Sequence, residues 1–496
     1  MENLDFRAVK NPLRVCHIIA TTEGATWAFE QLRDLRDRYG YEVAAILNGD
    51  KGKLVDRFKA EDIPVYSADF DFTSSAELLL LPKKVINLVR ILNRERFDII
   101  QTHLFHSMVI GRISAWFADV PLRFSMIAGP FHLEAYTPRW IDKYTFRLDT
   151  SVIASCDFTR SLYLKMGASE DRVETIYYGP DERKFDPSLI SPADLRSEFG
   201  WREGTQIIGL IAYFYPELPS NRWIAEPAKG SSVKRQEDLI RAAPLILKEF
   251  PQAKILFIGS GWEQGGEEYL DKMKSLVQEL GLGDSIKFSG YRTDIASTLL
   301  ALDVAVQCAV SENLGGTIES LLMECPTVAT KVGGMTDSVV DGITGVLVNP
   351  IDPESLAFGI MKLLRNPELA RQYGVAGRER MLSNFTLRHT VDQLAYLYQR
   401  KFNGAARGYR PYMVVLRFLI GGVLCTFIAV RYALLDAYIL PRWDSGWRPW
   451  RKSAFSIIPF YNRFLSFGGR IRSQLAIRTR LKMLYHRFLV FVGRVR

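Results

Sequence analysis

The chain is poor in the features that mark secreted, metal-binding and membrane-spanning proteins. Its five cysteines, Cys16, Cys156, Cys308, Cys325 and Cys425, are odd in number and scattered, and no two stand in a CxxC or metal-ligand spacing. That argues against a disulfide framework or a zinc site and predicts a reducing, cytoplasmic setting. The opening "MENLDFRAVKNPLRVCHIIA" holds only a short apolar run, 15–20, behind mixed charges, so no N-terminal export is expected. Long hydrophobic runs are lacking too. "MVVLRFLIGGVLCTFIAV" (413–430) is interrupted by Arg417 and leaves 13 uninterrupted residues, at the limit between a spanning and an interfacial helix. Acids are scarce in one region: residues 401–496 hold 18 Lys/Arg against Asp436 and Asp444, whereas residues 1–400 carry 46 bases and 53 acids. A mildly acidic body therefore bears a strongly basic tail, and the two are read separately.

What remains is a globular composition, 48% hydrophobic and 24% charged over 496 residues, with room for two or three domains. "RVCHIIATTEG" reads as a strand entering a turn at Gly24, after which Ala28, Leu32, Leu35 and Tyr39 recur at helical spacing. "YEVAAIL", "FDIIQTHL", "LRFSMIA" and "TSVIASC" follow as buried strands. The series then restarts with "TQIIGLIAYF", "AKILFIGSG", "SIKFSGY", "LDVAVQC" and "PTVATKVGG". Such alternation predicts an α/β fold: two doubly wound, Rossmann-like domains of parallel sheet facing a cleft. The expected division is 1–190 and 191–385 for the two domains, 386–403 for a closing helix and 404–496 for a basic helical extension, with Pro180, Pro187 and Pro192 marking the linker. A polar loop, "ELPSNRWIAEPAKGSSVKRQ", interrupts the second domain; loops of this length are often functional.

The segment "SENLGGTIES" (311–320) follows one of these strands and enters a helix carrying Ile318, Leu321 and Leu322. Gly315 and Gly316 let the backbone approach a ligand, and free N–H groups at a helix start favour a phosphate. Glu319, one turn in, is placed to accept bonds from sugar or ribose hydroxyls. A Gly-Gly pair before a helix is, taken alone, more often a simple turn.

Extended to "SENLGGTIESLLMECPTVATKVGGMTDSVVDGITGVLV", the segment resembles the donor-site region of the retaining GT-B glycosyltransferases of family four. "KRQEDLIRAAPLILKEFPQAKILFIGSG", "DSIKFSGYRTDIASTLLALDVAV" and "DIIQTHLFHSMVIGR" resemble further segments of that family, and the likeness spans roughly residues 14–402. It implies a metal-independent enzyme with no cofactor beyond a nucleotide-diphosphate sugar as co-substrate, which the second domain would hold. By this resemblance His132, Lys234 and Glu312 are the catalytic candidates. Gly24, Arg235, Arg292, Ser311, Leu314, Gly315, Gly316, Thr317 and Glu319 are the donor-binding ones. Three departures stand out. The family's first glutamate falls on Ser311, with Glu312 one residue late. Its arginine is missing from "AYFYP", so Arg222 or Lys229 of the long loop is expected to supply the cation. Its histidine aligns with Ala128, and His132 is the expected substitute. Lys234 matches the diphosphate-binding lysine, with Arg235 where glycine is usual.

His103 and His106, in "THLFHS" at a strand end, are candidate cleft residues or packing residues in equal measure. His17 is expected in the core, and His389 and His486 at the surface. Asp69 and Asp71 have a DxD spacing that a metal could use, but chance explains it better and no metal site is expected.

In the tail, Trp443, Trp447 and Trp450 stand among Arg442, Arg448, Arg451 and Lys452, a composition suited to lipid headgroups. Ile477, Leu481, Leu484, Phe488 and Phe491 share a helical face away from Arg480, Lys482 and Arg487, as in helices that lie on anionic membranes. No nucleic-acid-reading motif accompanies the charge. The expected partners are thus a nucleotide-sugar donor, a glycan or lipid-linked acceptor and an anionic membrane surface on the cytoplasmic side. The rival readings are a GT-B epimerase or phosphorylase, and a non-enzymatic membrane-bound protein on a degenerate GT-B fold.

Overall fold

The computed structural model of the chain describes residues 12–403, apart from 73–76, 78 and 79. Thirteen strands in these residues form two sheets. The first holds β1 (Arg14–Ile19), β2 (Glu42–Leu47), β3 (Val65–Ser67), β4 (Ile99–His103), β5 (Leu122–Ile127), β6 (Ser151–Ala154) and β7 (Val173–Thr175), in the order β3-β2-β1-β4-β5-β6-β7. The second holds β8 (Ile207–Ile211), β9 (Lys254–Ile258), β10 (Ile286–Gly290), β11 (Val304–Gln307), β12 (Thr327–Thr330) and β13 (Val346–Val348), in the order β10-β9-β8-β11-β12-β13. Every pairing is parallel.

Parallel pairing needs a crossover between strands, and the helices that provide it cover both faces, which is why the strands are nearly continuous in Val and Ile. β1, "RVCHII", is buried from its second residue to its last. The helix Thr26–Tyr39 shows the complementary period: Ala28, Leu32 and Leu35 face the sheet, and the helix stops at Gly40, whose left-handed backbone (φ 69°) turns its N–H back to Arg36 and Leu35. Each sheet reverses direction beside its first strand, between β1 and β4 and between β8 and β11. The loops after those strands therefore open onto a crevice, where doubly wound folds bind ligands.

The chain does not end in the second domain. The helix Leu387–Asn403 buries Leu387, Val391, Leu394 and Tyr398 in the core of the first sheet, and the Tyr398 hydroxyl donates to Gln101 Oε1 at 2.7 Å. Each such apolar side chain contributes about 1.5–3 kcal/mol on burial, so this crossing ties the domains firmly. The linker is pinned beside it: Gly179 N–H donates to Thr390 Oγ1 at 3.2 Å, and a Cβ on Gly179 would lie 1.7 Å from the Phe385 carbonyl oxygen.

Candidate functional site

The second domain builds its side of the crevice from two loops held together by backbone. Val310 N–H donates to the Val233 carbonyl at 3.0 Å, and the Cys308 thiol donates to the carbonyls of Lys234 (3.3 Å) and Arg235 (3.1 Å). This brings Lys234 against Glu312, whose Oε2 accepts from the ammonium; both side chains are mostly buried. Burial works to lower the Lys234 pKa, but the Glu312 charge and hydrogen bond outweigh it and hold the ammonium above its ordinary value.

Next along the chain, Gly315 takes a left-handed backbone (φ 55°), and a Cβ on Gly316 would come 2.7 Å from the Gln307 amide nitrogen. The helix that starts there, Thr317–Leu322, is six residues long. One turn in, Glu319 Oε2 is buried with no hydrogen-bond partner, and burial lifts the carboxyl to about 7. An unpartnered carboxylate oxygen beside a paired lysine is an acceptor waiting for donors that the protein does not supply. The Gly333-Gly334 turn supports this loop from beneath. Gly333 is left-handed (φ 51°), and its Cβ would sit 1.7 Å from the Glu312 carbonyl oxygen.

The first domain supplies the opposite wall. After β5, the short helix Phe131–Glu134 presents His132 and Glu134. His132 Nε2 lies 3.9 Å from Asp142 Oδ2, and burial lowers its pKa to about 4 against the pull of Asp142, so the ring is neutral at pH 7. Asp142 and Asp149 both hold Arg112, which is fully buried; burial in turn raises the Asp149 carboxyl to about 6. Glu134 accepts from the Ser311 hydroxyl across the crevice. Further contacts join the walls: Ser155 Oγ to Asn313 Oδ1 at 3.0 Å, Asp157 N–H to Asp337 Oδ2 at 2.6 Å, and Thr137 N–H to the Arg222 carbonyl at 2.9 Å.

Comparison with known proteins bears directly on this constellation. Residues 23–179 match the model of the glycosyl transferase 4-like domain and residues 225–380 that of glycosyl transferases group 1, so both walls are covered. The chain is a GT-B glycosyltransferase of the family-four type. Its relatives include EpsD of Bacillus subtilis (strain 168), named provisionally as a glycosyltransferase, at 28% identity over 72% of this chain and 89% of that one. Another is the D-inositol 3-phosphate glycosyltransferase of Nocardiopsis dassonvillei, at 24% identity over 62% and 71%. Among solved structures, Anabaena HepE in complex with UDP-glucose superposes with a TM-score of 0.62 at 18% identity, over 78% of this chain and 100% of that one, a likeness of fold.

Within the glycosyltransferase, the expected site residues divide. Lys234, Ser311, Glu312, Gly315, Gly316 and Glu319 share one loop system, with His132 on the facing wall. His106 is half-buried, edge-on to Phe72 at 4.7 Å. Gly24 sits in the exposed left-handed turn after β1 (φ 62°). His103 is not a cleft residue: it is fully buried beside His17, with its Nε2 3.0 Å from His17 Nδ1, because β4 runs through the middle of the sheet. The Arg235 guanidinium is taken by Glu237 and Asp238, and its left-handed backbone (φ 54°) is the conformation that glycine would adopt more easily. Arg292 is likewise held by Glu198 and Asp294. Leu314 and Thr317 bury their side chains in the fold, leaving a ligand only their backbone. Of the two loop cations expected to replace the missing arginine, Lys229 pairs with Glu226 and Arg222 stacks over Tyr136. Asp69 and Asp71 accept from Lys84 and Asn48, and no metal-ligating cluster occurs among the described residues.

Sequence reasoning missed Glu134, Asp142 and the aromatic group Tyr213, Trp262 and Tyr291, whose rings lie 5.1 and 6.2 Å from Tyr213 at the ends of β8, β9 and β10. The signal available was position alone: each stands just beyond a strand's carboxyl end or one helix further on.

Proposed function

We propose that this glycosyltransferase takes a sugar from a nucleotide-diphosphate sugar and transfers it, with retention of configuration, to a hydroxyl of a glycan or lipid-linked acceptor. The observation that carries the reading is the juxtaposition of the Lys234–Glu312 pair, the Gly315-Gly316 turn and the unpartnered Glu319 carboxylate. In this reading Lys234 and the backbone N–H groups at Gly315 and Gly316 meet the diphosphate, and their interaction strengthens as negative charge develops on the leaving group. Glu319 accepts from the ribose hydroxyls, and the exposed faces of Tyr213, Trp262 and Tyr291 suit a nucleobase by stacking. Neutral His132 serves as a hydrogen-bonding group for the donor sugar. The departing phosphate assists removal of the acceptor proton.

The basic, aromatic tail supports an acceptor at the membrane, since it would bring the enzyme to an anionic surface. It lies outside the described residues, among which no helix is long and apolar enough to cross a membrane. Isothermal titration with UDP-glucose, UDP-N-acetylglucosamine and GDP-mannose tests the donor reading: at least one is expected to bind with micromolar affinity, as the substrates of enzymes commonly do. Failure of every nucleotide sugar to bind would remove it.

A further inference from the structure

Ser311 and Glu134 meet across the crevice in a way the donor reading leaves unused. Ser311 is 5% exposed, and its hydroxyl donates to a carboxylate that comes from the other domain. Burial raises the Glu134 pKa, the Ser311 hydrogen bond lowers it only partly, and no ion pair among the described residues offsets the cost. A carboxylate has about four acceptor positions, and one hydroxyl fills one of them. The neighbouring Glu312 differs: its Oε2 is committed to the Lys234 ammonium and its Oε1 accepts from the Asn313 N–H at 3.0 Å. Of these two facing carboxylates, Glu134 therefore keeps more acceptor positions open. It stands two residues from His132 on the same short helix.

We propose that Glu134 is a specificity-determining residue whose carboxylate, together with the Ser311 hydroxyl, receives the hydroxyls of the donor's sugar ring. The inference rests on the donor-site reading above. A polyol is the matching ligand, because an anionic acceptor beside a hydroxyl that can donate or accept pairs with vicinal hydroxyls, whereas its charge repels a phosphate. The position where the family resemblance places a glutamate holds Ser311, and the carboxylate arrives from the first domain instead. The sugar would thus be gripped by both domains, whereas a nucleoside diphosphate would touch the second alone.

The test compares titration of UDP and GDP with that of UDP-glucose and GDP-mannose, on the wild type and on Glu134→Gln, which keeps the shape and removes the charge. Affinity for the nucleoside diphosphate should stay within about twofold, while affinity for the nucleotide sugar falls about tenfold or more, the effect expected for losing charge-assisted hydrogen bonds. The double variant Glu134→Ala with Ser311→Glu, which returns a carboxylate from the second domain, should recover much of the loss. Unchanged nucleotide-sugar affinity in folded Glu134→Gln would overturn the proposal. So would an equal loss for nucleoside diphosphate and nucleotide sugar, or a folded double variant that recovers nothing. If the wild type binds neither the nucleotides nor the nucleotide sugars, the donor-site reading itself fails and takes this one with it.

Discussion

Glu319 carries the clearest residue-scale consequence. Its carboxyl titrates at about 7 against an ordinary 4.5, so between those values the folded protein holds a proton that the unfolded chain has released. This group therefore favours folding increasingly as pH falls from 7 to 4.5, and above 7 it costs stability. Replacing it with Gln removes a desolvated charge, and Glu319→Gln should raise the melting temperature of the donor-free protein at pH 8. The same change should weaken nucleotide-sugar binding, an instance of stability traded for function. A nucleotide sugar has no group titrating near neutrality, so its affinity for the wild type should rise with pH through about 7 as Glu319 ionises, and the variant's should stay flat. Titrations from pH 6 to pH 8 decide this; a wild-type profile as flat as the variant's would show that Glu319 does not meet the donor. His132 has the opposite sign. Its pKa of about 4 lies below the ordinary 6.5, so its contribution to stability is complete above 6.5 and is lost as pH falls towards 4.

At the scale of elements, the donor loop depends on a turn that never touches a ligand in this reading. Gly333 approaches the Glu312 carbonyl and Gly334 the Cys156 side chain too closely for any side chain, and Gly333 is also left-handed. Gly333→Ala must displace the Glu312 carbonyl, and with it the partner of Lys234. It is expected to lower nucleotide-sugar affinity by more than tenfold, in addition to the roughly 1–2 kcal/mol of stability that left-handed backbone costs by itself. Gly40→Ala provides the control: its φ is 69° but open space surrounds it, so it should lower the melting temperature slightly and leave binding intact. Equal binding losses in both variants, measured by titration, would point to general instability instead of a displaced loop. The Arg112 network is a comparable support on the facing wall. A buried arginine held by two aspartates fixes Asp142 opposite His132, and removing one partner of such a cluster typically costs 3–5 kcal/mol.

At the scale of the whole molecule, the function proposed above gives the acidic body and the basic tail separate tasks. The residues assigned to the donor all lie before Asn349, and the closing helix ends at Asn403. Deleting 404–496 should therefore release the protein from vesicles of anionic lipid while nucleotide-sugar affinity stays within about twofold. Exposed charges are screened by salt, with a Debye length of about 8 Å at physiological ionic strength, so the intact protein should be partly released at high salt and should retain a hydrophobic remainder. Cosedimentation of both forms across a salt series measures this. Equal vesicle binding with and without the tail would overturn its role.

The sequence by itself determined the α/β class, the central strands of both sheets and the glycine turn after β11, because those features are local: Val- and Ile-rich strands, helical spacing and the glycines of a tight turn are all written in short windows. It did not reveal β3, β7 and β13, three-residue strands of which each lies at a sheet edge, where too few residues are buried to leave a periodic signal. Only the tertiary structure decided which charges are spent and which are free. Arg235 and Arg292, donor-binding candidates in the sequence, are paired with Glu237, Asp238, Glu198 and Asp294, and His103, which the sequence left between cleft and packing, is enclosed by the sheet. Glu134 reaches Ser311 across 177 positions of sequence. Pairing at that distance depends on how two separately folded sheets meet, and no local pattern of residues encodes it.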